Sequence, residues 1–464
     1  MGGRDDDGDY EFLQITEAVA LIGQKVDLFG VVSLTSIPRQ SKGTDYYCSL
    51  RILDESKPTS GISVNFFTET MDKLPQVQCA GDIIQLSRVV MKTHGSEAFA
   101  VFNKKYSSFA LFEGKHGTSF VPYQASSNYD DREQDKKFIV GLRKWMVDHP
   151  TATVSGELRL LKDIERGEHF SWVCKILHLR ELQKDQWILF TWDGTDTPAV
   201  AIESKLKDEN ENPLPLQIEQ FHLPREILSS FPTVGSVLRV IIGLDEKPGF
   251  DFLKIGGWVK LCNLRCDIHA SMWFGTIMHF TKVCRLPDDD ELILEKQRTY
   301  YERFKSKWGR IPAQSFPWPF RLTETLYPKV PFMTLMDVLT YPEVTAKFKV
   351  VARVVAMLPW RPEDFVSPSS GIYRIRLTLE DPTARIHAYL FADDAVKFFG
   401  GYYPADVMMR KRNALLGMQE GREVRNPPWL ELCLWSYYID EGDVWGSRSY
   451  RIFATIFDDE RQGI

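Results

Sequence analysis

The stretch 41–67, SKGTDYYCSLRILDESKPTSGISVNFF, limits the possible folds most, because it reads as a strand, a polar turn and a second strand. Ser49-Leu50-Arg51-Ile52-Leu53 alternates polar and apolar residues as a half-buried strand does. After the turn, Ile62-Ser63-Val64-Asn65-Phe66-Phe67 resumes the alternation. The pattern returns twice. WILFTWDGTDTPAVAIES (187–204) turns at Asp193-Gly194, and YRIRLTLEDPTARIHAYLF (373–391) turns at Asp381-Pro382. Three such hairpins predict three domains of one kind, and 464 residues suffice for them at roughly 150 residues each.

Strands at 24–35, in the hairpin, at 81–94 and at 107–114 predict a small closed barrel or sandwich over residues 10–125. Residues 1–9 read as a disordered acidic tail without the apolar core of a signal peptide. From 126 to 310 the pattern predicts a helical lead-in, with Phe138, Leu142 and Trp145 on one face, and then a second β-rich unit. Residues 311–331 form a Pro-rich linker, and 332–464 a third β-rich unit with strands at 346–357, 373–380, 384–391, 428–439 and 448–457. No run of 18 apolar residues occurs, so no membrane span is expected.

Enzyme signatures are missing. Phe109 stands where a phosphate-binding loop ending at Gly114-Lys115 needs its first glycine, and no G-x-S-x-G, H-E-x-x-H or G-x-G-x-x-G occurs in a matching context. No catalytic residue and no cofactor is expected. Cys262, Cys266, His269 and Cys284 have loosely zinc-like spacing, but they lie in strand-like segments, where buried core thiols are the plainer reading. A net charge of −6 argues against a globally basic nucleic-acid binder and leaves room for a local basic groove.

The loop Arg39-Gln40-Ser41-Lys42-Gly43-Thr44-Asp45-Tyr46 combines positive charge, a glycine, a hydroxyl, a carboxylate and an aromatic ring. Such a set can read base edges and phosphate together, in the loop where five-stranded oligonucleotide-binding (OB) barrels receive single strands. A polar surface loop is the plainer alternative. Phe66 and Phe67 are adjacent on a strand, so one points in and one out. Arg88, Lys92 and His94 on the next strand either line the same groove or stand solvated.

These residues resemble the protection-of-telomeres family. SKGTDY followed by NFF and FALFEG is similar to its first OB domain, and DKKFIVGLRKWMVDH with WDGTDTPA to its second. LEDPTARIHAYLFADDAVKFF with PPWLELCLWSYYI resembles its C-terminal domain in a compact form, as in plant members. The resemblance spans nearly the whole chain and implies an all-β protein with short helices, built as three tandem OB barrels. It implies binding of G-rich single-stranded telomeric DNA by the first two barrels, at telomeres in the nucleus. By the resemblance Phe67 takes the stacking position, Lys42, Thr44 and Asp45 the base-reading loop, and Arg88 the groove. Trp192 and Asp193 of WDGT join the DNA-contacting set. The family's stacking tyrosine after Arg88 is replaced near His94, and VVAMLPWRPEDF lacks the cysteines that hold zinc in animal members. The third barrel, with strands rich in apolar and acidic residues, is expected to bind a telomere protein, with telomerase a further partner. The alternatives are a scaffold of an end-capping assembly with weak DNA binding, and a general single-strand binder.

Overall fold

The computed structural model describes residues 11–149, 158–183, 186–210, 223–231, 237–243, 253–269, 272–305, 322–381, 383–419 and 424–458. The expected tail 1–9 and residues 311–321 of the expected linker lie outside this set. Each hairpin belongs to a closed five-stranded ring. The first ring contains β1 (Lys25–Ser36), β2 (Tyr46–Leu53), β3 (Ile62–Thr68), β4 (Ile83–His94) and β5 (Glu97–Val101). The second contains β6 (His169–Gln183), β7 (Gln186–Trp192), β8 (Leu238–Gly243), β9 (Trp258–His269) and β10 (Met272–Thr276), followed by the short β11 (Lys282–Arg285). The third contains β12 (Ala346–Leu358), β13 (Arg374–Glu380), β14 (Arg385–Phe391), β15 (Trp429–Tyr438) and β16 (Arg448–Ile452).

In each ring the third and fifth strands pair in parallel and the other four seams are antiparallel. Closure removes the sheet edges, and the protein is all-β with short helices, three OB barrels in series. One strand differs from the sequence expectation. Ser108–Phe112 pairs with β4 outside the ring, and β5 closes it. Glu97-Ala98-Phe99 is too short a piece of alternation to stand out behind the turn at Gly95-Ser96.

The three acidic turns share one construction. Asp54 is buried, and its Oδ1 accepts from Ser56 N, Ser56 Oγ and Lys57 N, while Oδ2 accepts from Ile15 N at 2.7 Å. Asp193 Oδ1 accepts from Thr195 N and Oγ1, and Oδ2 from Leu161 N and Trp172 Nε1. Asp381 Oδ1 accepts from Thr383 N, Thr383 Oγ1 and Ala384 N, and Oδ2 from Leu335 N. The hydroxyl two residues on then accepts the next N–H: Thr16 N on Ser56, Lys162 N on Thr195, Met336 N on Thr383. Each pair caps a short helical turn whose first side chain, Ile15, Leu161 or Leu335, is fully buried in the barrel core. A helix start has orphan N–H groups that must find acceptors, and Asp-x-Ser/Thr supplies two of them from across the barrel.

The barrels touch through the second one. β11 pairs with β9 and also with β1, Lys282 opposite Ser36 and Val283 opposite Thr35, and Ala80 N donates to Arg285 O. On the other side, Ile202 and Arg425 form a bridge with bonds in both directions. The buried Arg425 guanidinium donates to Val355 O, Ser204 O and Glu209 Oε1.

Candidate nucleic-acid interface

Strand parity decides which side chains leave the first barrel. Cys48, Leu50, Ile52, Val64, Phe66 and Ala100 are buried in its core, so Tyr47, Ser49, Arg51, Ser63, Asn65, Phe67 and Phe99 face outward. Cross-strand register lines these up in two rows. Arg39 stands opposite Tyr47, and Tyr47 opposite Phe67. Arg51 stands opposite Ser63, Ser63 opposite Phe99, and Phe99 opposite Lys92. The Tyr47 and Phe67 rings meet at 5.0 Å between centroids, Tyr47 OH donates to Asn65 Oδ1, and the Arg39 guanidinium lies 5.4 Å from the Tyr47 ring centre. Arg51 donates to Ser63 Oγ at 3.3 Å.

Among the described residues, no carboxylate forms an ion pair with Arg39, Arg51, Lys92 or Lys282. Lys282 reaches this area from the second barrel through the β11–β1 pairing. Burial pushes its ammonium down to about 8; Cys48 opposes that shift, while Arg51 and Arg39 add to it. Clustered cations without a local anion suit a phosphate.

The expected site residues divide accordingly. Arg39 and Phe67 lie in the first row, and Lys92 ends the second. Lys42 and Thr44 are exposed at the tip of a tight loop closed by Ser41 N on Asp45 O. Asp45 ion-pairs with Lys104 at 3.0 Å, which is also bound to Glu69. His94 is exposed at the β4–β5 turn opposite Glu97, beyond the second row. Arg88 is set apart: its φ of 56° belongs to a bulge on the β4–β1 seam, where its N–H donates to Asp27 Oδ1.

Three expectations are corrected. Tyr46 packs against the barrel core, so the outward ring of the pair is Tyr47, one residue on; the buried Cys48, Leu50 and Ile52 set this parity. Trp192 is fully buried, donates Nε1 to Thr195 O, and packs on Tyr300 at 4.8 Å. Asp193 is 2% exposed and occupied as the second barrel's capping aspartate, so neither can meet DNA. Sequence reasoning missed Tyr47, Arg51, Phe99 and Lys282. Parity alone could have found the first two, whereas Phe99 needed the unrecognised β5 and Lys282 the contact between barrels.

The corresponding face of the second barrel is covered at Ile188 and Phe190 and open at Gly243. Counting seven residues back from the capping aspartate, Tyr47, Gln186 and Arg374 are equivalent, and their cross-strand partners are Phe67, Gly243 and Phe391. The outward Ile188 and Phe190 are buried under Leu223 and Phe231, with Phe190 and Phe231 at 5.3 Å.

Cys262, Cys266 and Cys284 are buried, and burial pushes all three thiols up, Cys266 to about 12. They are neutral core groups. Among the described residues no three His, Cys, Asp or Glu side chains are placed to hold a metal ion.

A family model described as "Telomeric single stranded DNA binding POT1/CDC13" matches residues 6–155, and one described as "POT1A-like, OB fold domain" matches residues 318–443. Protection of telomeres protein 1a of Arabidopsis thaliana is 38% identical over 465 residues, covering 96% of this chain and 97% of the relative. Protection of telomeres protein 1b of the same plant is 39% identical over 451 residues, with the same coverage of 96% and 97%. A crystal structure of fission yeast Pot1 and single-stranded DNA aligns with 64% of this chain and 95% of its own, at 16% identity and a TM-score of 0.27, a likeness that carries no argument.

Proposed function

This chain belongs to the protection-of-telomeres family, and from that premise we propose that it binds G-rich single-stranded DNA of chromosome ends across the outer face of its first barrel. The observation that carries the reading is the outward strip of Tyr47, Phe67 and Phe99 between Arg39, Arg51, Lys92 and Lys282. Bases stack on aromatic faces whatever their sequence, while cations hold phosphate and fix register. Lys42 and Thr44, at the tip of the neighbouring loop, supply base-edge contacts, and Asp45 joins them when strand binding displaces Lys104. The G-rich preference rests on the family. So do the nuclear, telomeric location, a telomere-protein partner, control of telomerase access and the absence of a catalytic step.

In this reading the second barrel contributes Lys282 and a scaffold. Its own strand face is covered at Ile188 and Phe190 by Leu223 and Phe231, and its two junctions hold the outer barrels. That cover, with Gly243 in the place of Phe67, favours a scaffold role for this barrel over a groove running the length of two barrels.

A fluorescence titration at one stated salt concentration tests the function with a G-rich telomeric repeat, its scrambled form and the matching RNA. The G-rich DNA is expected to bind at least about tenfold tighter than the other two, a difference of about 1.4 kcal/mol. With four cations on the face, the logarithmic salt slope is expected near 3, from about 0.7 per phosphate for single strands. Equal affinity for all three strands would assign a general single-strand binder, and weak binding to all would assign a scaffold.

A further inference from the structure

The third barrel repeats the outward register of the first. Phe391, opposite Arg374, occupies the place of Phe67, and Tyr389 stands opposite Arg376. Tyr389 in turn neighbours Arg451, and Arg451 stands opposite Trp435. Phe391 is 53% and Tyr389 37% exposed. Two large aromatic groups this open on one face of one strand form a patch of the kind that marks a binding surface, which a lone exposed ring would not. The second barrel has Gly243 at the same place, so the aromatic residue is not a requirement of the fold.

Charge at this face is positive. Arg374 and Arg376 form no ion pair and no side-chain hydrogen bond among the described residues. The Arg451 guanidinium lies 4.2 Å from the Trp435 ring centre, and its Nε meets Asp394 at 3.4 Å. Lys347, also opposite Trp435, lies 5.2 Å from that ring centre. The acidic residues that made this barrel look like a protein-binding module are committed elsewhere. Glu380 is buried between Arg353 and Arg385, and Glu431 pairs with Lys349. At the open end of the face the outward side chains, Arg374, Arg376, Tyr389 and Phe391, are therefore aromatic and cationic, while the strands' apolar residues fill the core.

We propose that the β13–β14 face of the third barrel is a second binding site for single-stranded nucleic acid, with Phe391 and Tyr389 as stacking platforms and Arg374 and Arg376 on phosphates. The flat rings suit bases, and the unpaired guanidinium groups suit a backbone that carries one charge per residue. This goes beyond the proposed function, which places the strand on the first barrel with Lys282 of the second.

Strands of about 12 and about 40 nucleotides test it on the full chain, since one OB barrel covers roughly 4–16 nucleotides. One base of each strand is replaced by a photoreactive 5-iodo-uracil, so that crosslinked residues can be read by mass spectrometry. The wild type is expected to bind the long strand at least about fivefold tighter than the short one and to crosslink within residues 374–391. Phe391→Ala with Arg374→Glu and Arg376→Glu is expected to lose that gain and those crosslinks, with the melting temperature unchanged because all three side chains are at the surface. If the variant keeps the gain and no crosslink falls in this barrel, the proposal is overturned. It is also overturned if polyglutamate binds this face while no single strand crosslinks to it, since an acidic protein segment would then be the ligand. Phe67→Ala separates the two sites: loss of short-strand binding there, with third-barrel crosslinks retained, supports both readings. Short-strand binding unaffected by Phe67→Ala, with those crosslinks present, supports this one and removes the first.

Discussion

Glu380→Ala is expected to destabilise the third barrel by roughly 3–5 kcal/mol, the range for breaking a buried ion pair by removing one partner. Glu380 Oε1 accepts from Arg353 Nε at 2.8 Å and from its terminal nitrogen at 2.5 Å, and Oε2 accepts from Arg385 Nε. Arg353 and Arg385 are 1% and 2% exposed. Alanine would leave the buried Arg353 guanidinium charged and without its anion, and would take the Glu380 carboxylate away from Arg385. Burial alone would raise the Glu380 carboxyl; the two arginines outweigh it and hold the carboxyl below its usual value. Its stabilising contribution is therefore present above the ordinary glutamate range near 4.3 and is lost as pH falls through the lowered native value. Three barrels in one chain need not unfold together, so native-state hydrogen exchange is the suitable readout. Amides of β12 and β13 are expected to lose protection in the variant while those of β1 and β2 keep theirs. Glu380→Gln, which keeps the shape and one hydrogen bond but not the charge, is expected to fall between.

Asp193→Ala is expected to cost the second barrel on the order of 3 kcal/mol or more. It removes the acceptor of Leu161 N, Trp172 Nε1 and Thr195 N, and each buried donor left unsatisfied costs about 1–3 kcal/mol. Denaturant unfolding followed by tryptophan fluorescence reads the loss, because Trp172, Trp187, Trp192 and Trp258 all sit in that core. The outcome also separates two roles for this residue. A capping aspartate weakens the fold first, and DNA binding falls only as the fold does. A DNA contact would lower affinity at unchanged stability, and that result would restore the sequence-level assignment of Asp193.

Much of this architecture is written locally. The alternation in 49–53 and 62–67 specifies β2 and β3, and the same pattern recurs before and after Asp193 and Asp381. The amphipathic stretch with Phe138, Leu142 and Trp145 becomes the helix Lys136–Asp148, which packs Leu142 and Trp145 beside the first barrel. The acidic turns were visible, but their purpose was not, because the donors they satisfy lie 39, 32 and 46 residues upstream. Parity would have made Tyr47 accessible, had the one-in, one-out alternation seen at Phe66 and Phe67 been carried back along β2. Pairing with distant groups was beyond composition. Counting acidic residues in the third barrel could not reveal that Glu380 and Glu431 face arginine and lysine partners. Nor could the sequence of β7 show that Ile188 and Phe190 point outward and are covered by Leu223 and Phe231.

The most direct test of the central claim is the affinity of Phe67→Ala for the G-rich single strand, measured beside wild type at the same salt concentration. Phe67 is half-buried against Tyr47 outside the core, so the barrel is expected to remain folded, with unchanged melting as the control. Binding is expected to weaken by about 1–3 kcal/mol, the worth of one base stacked on one ring. Undiminished affinity in a folded variant would contradict the account and move the strand off the β2–β3 face.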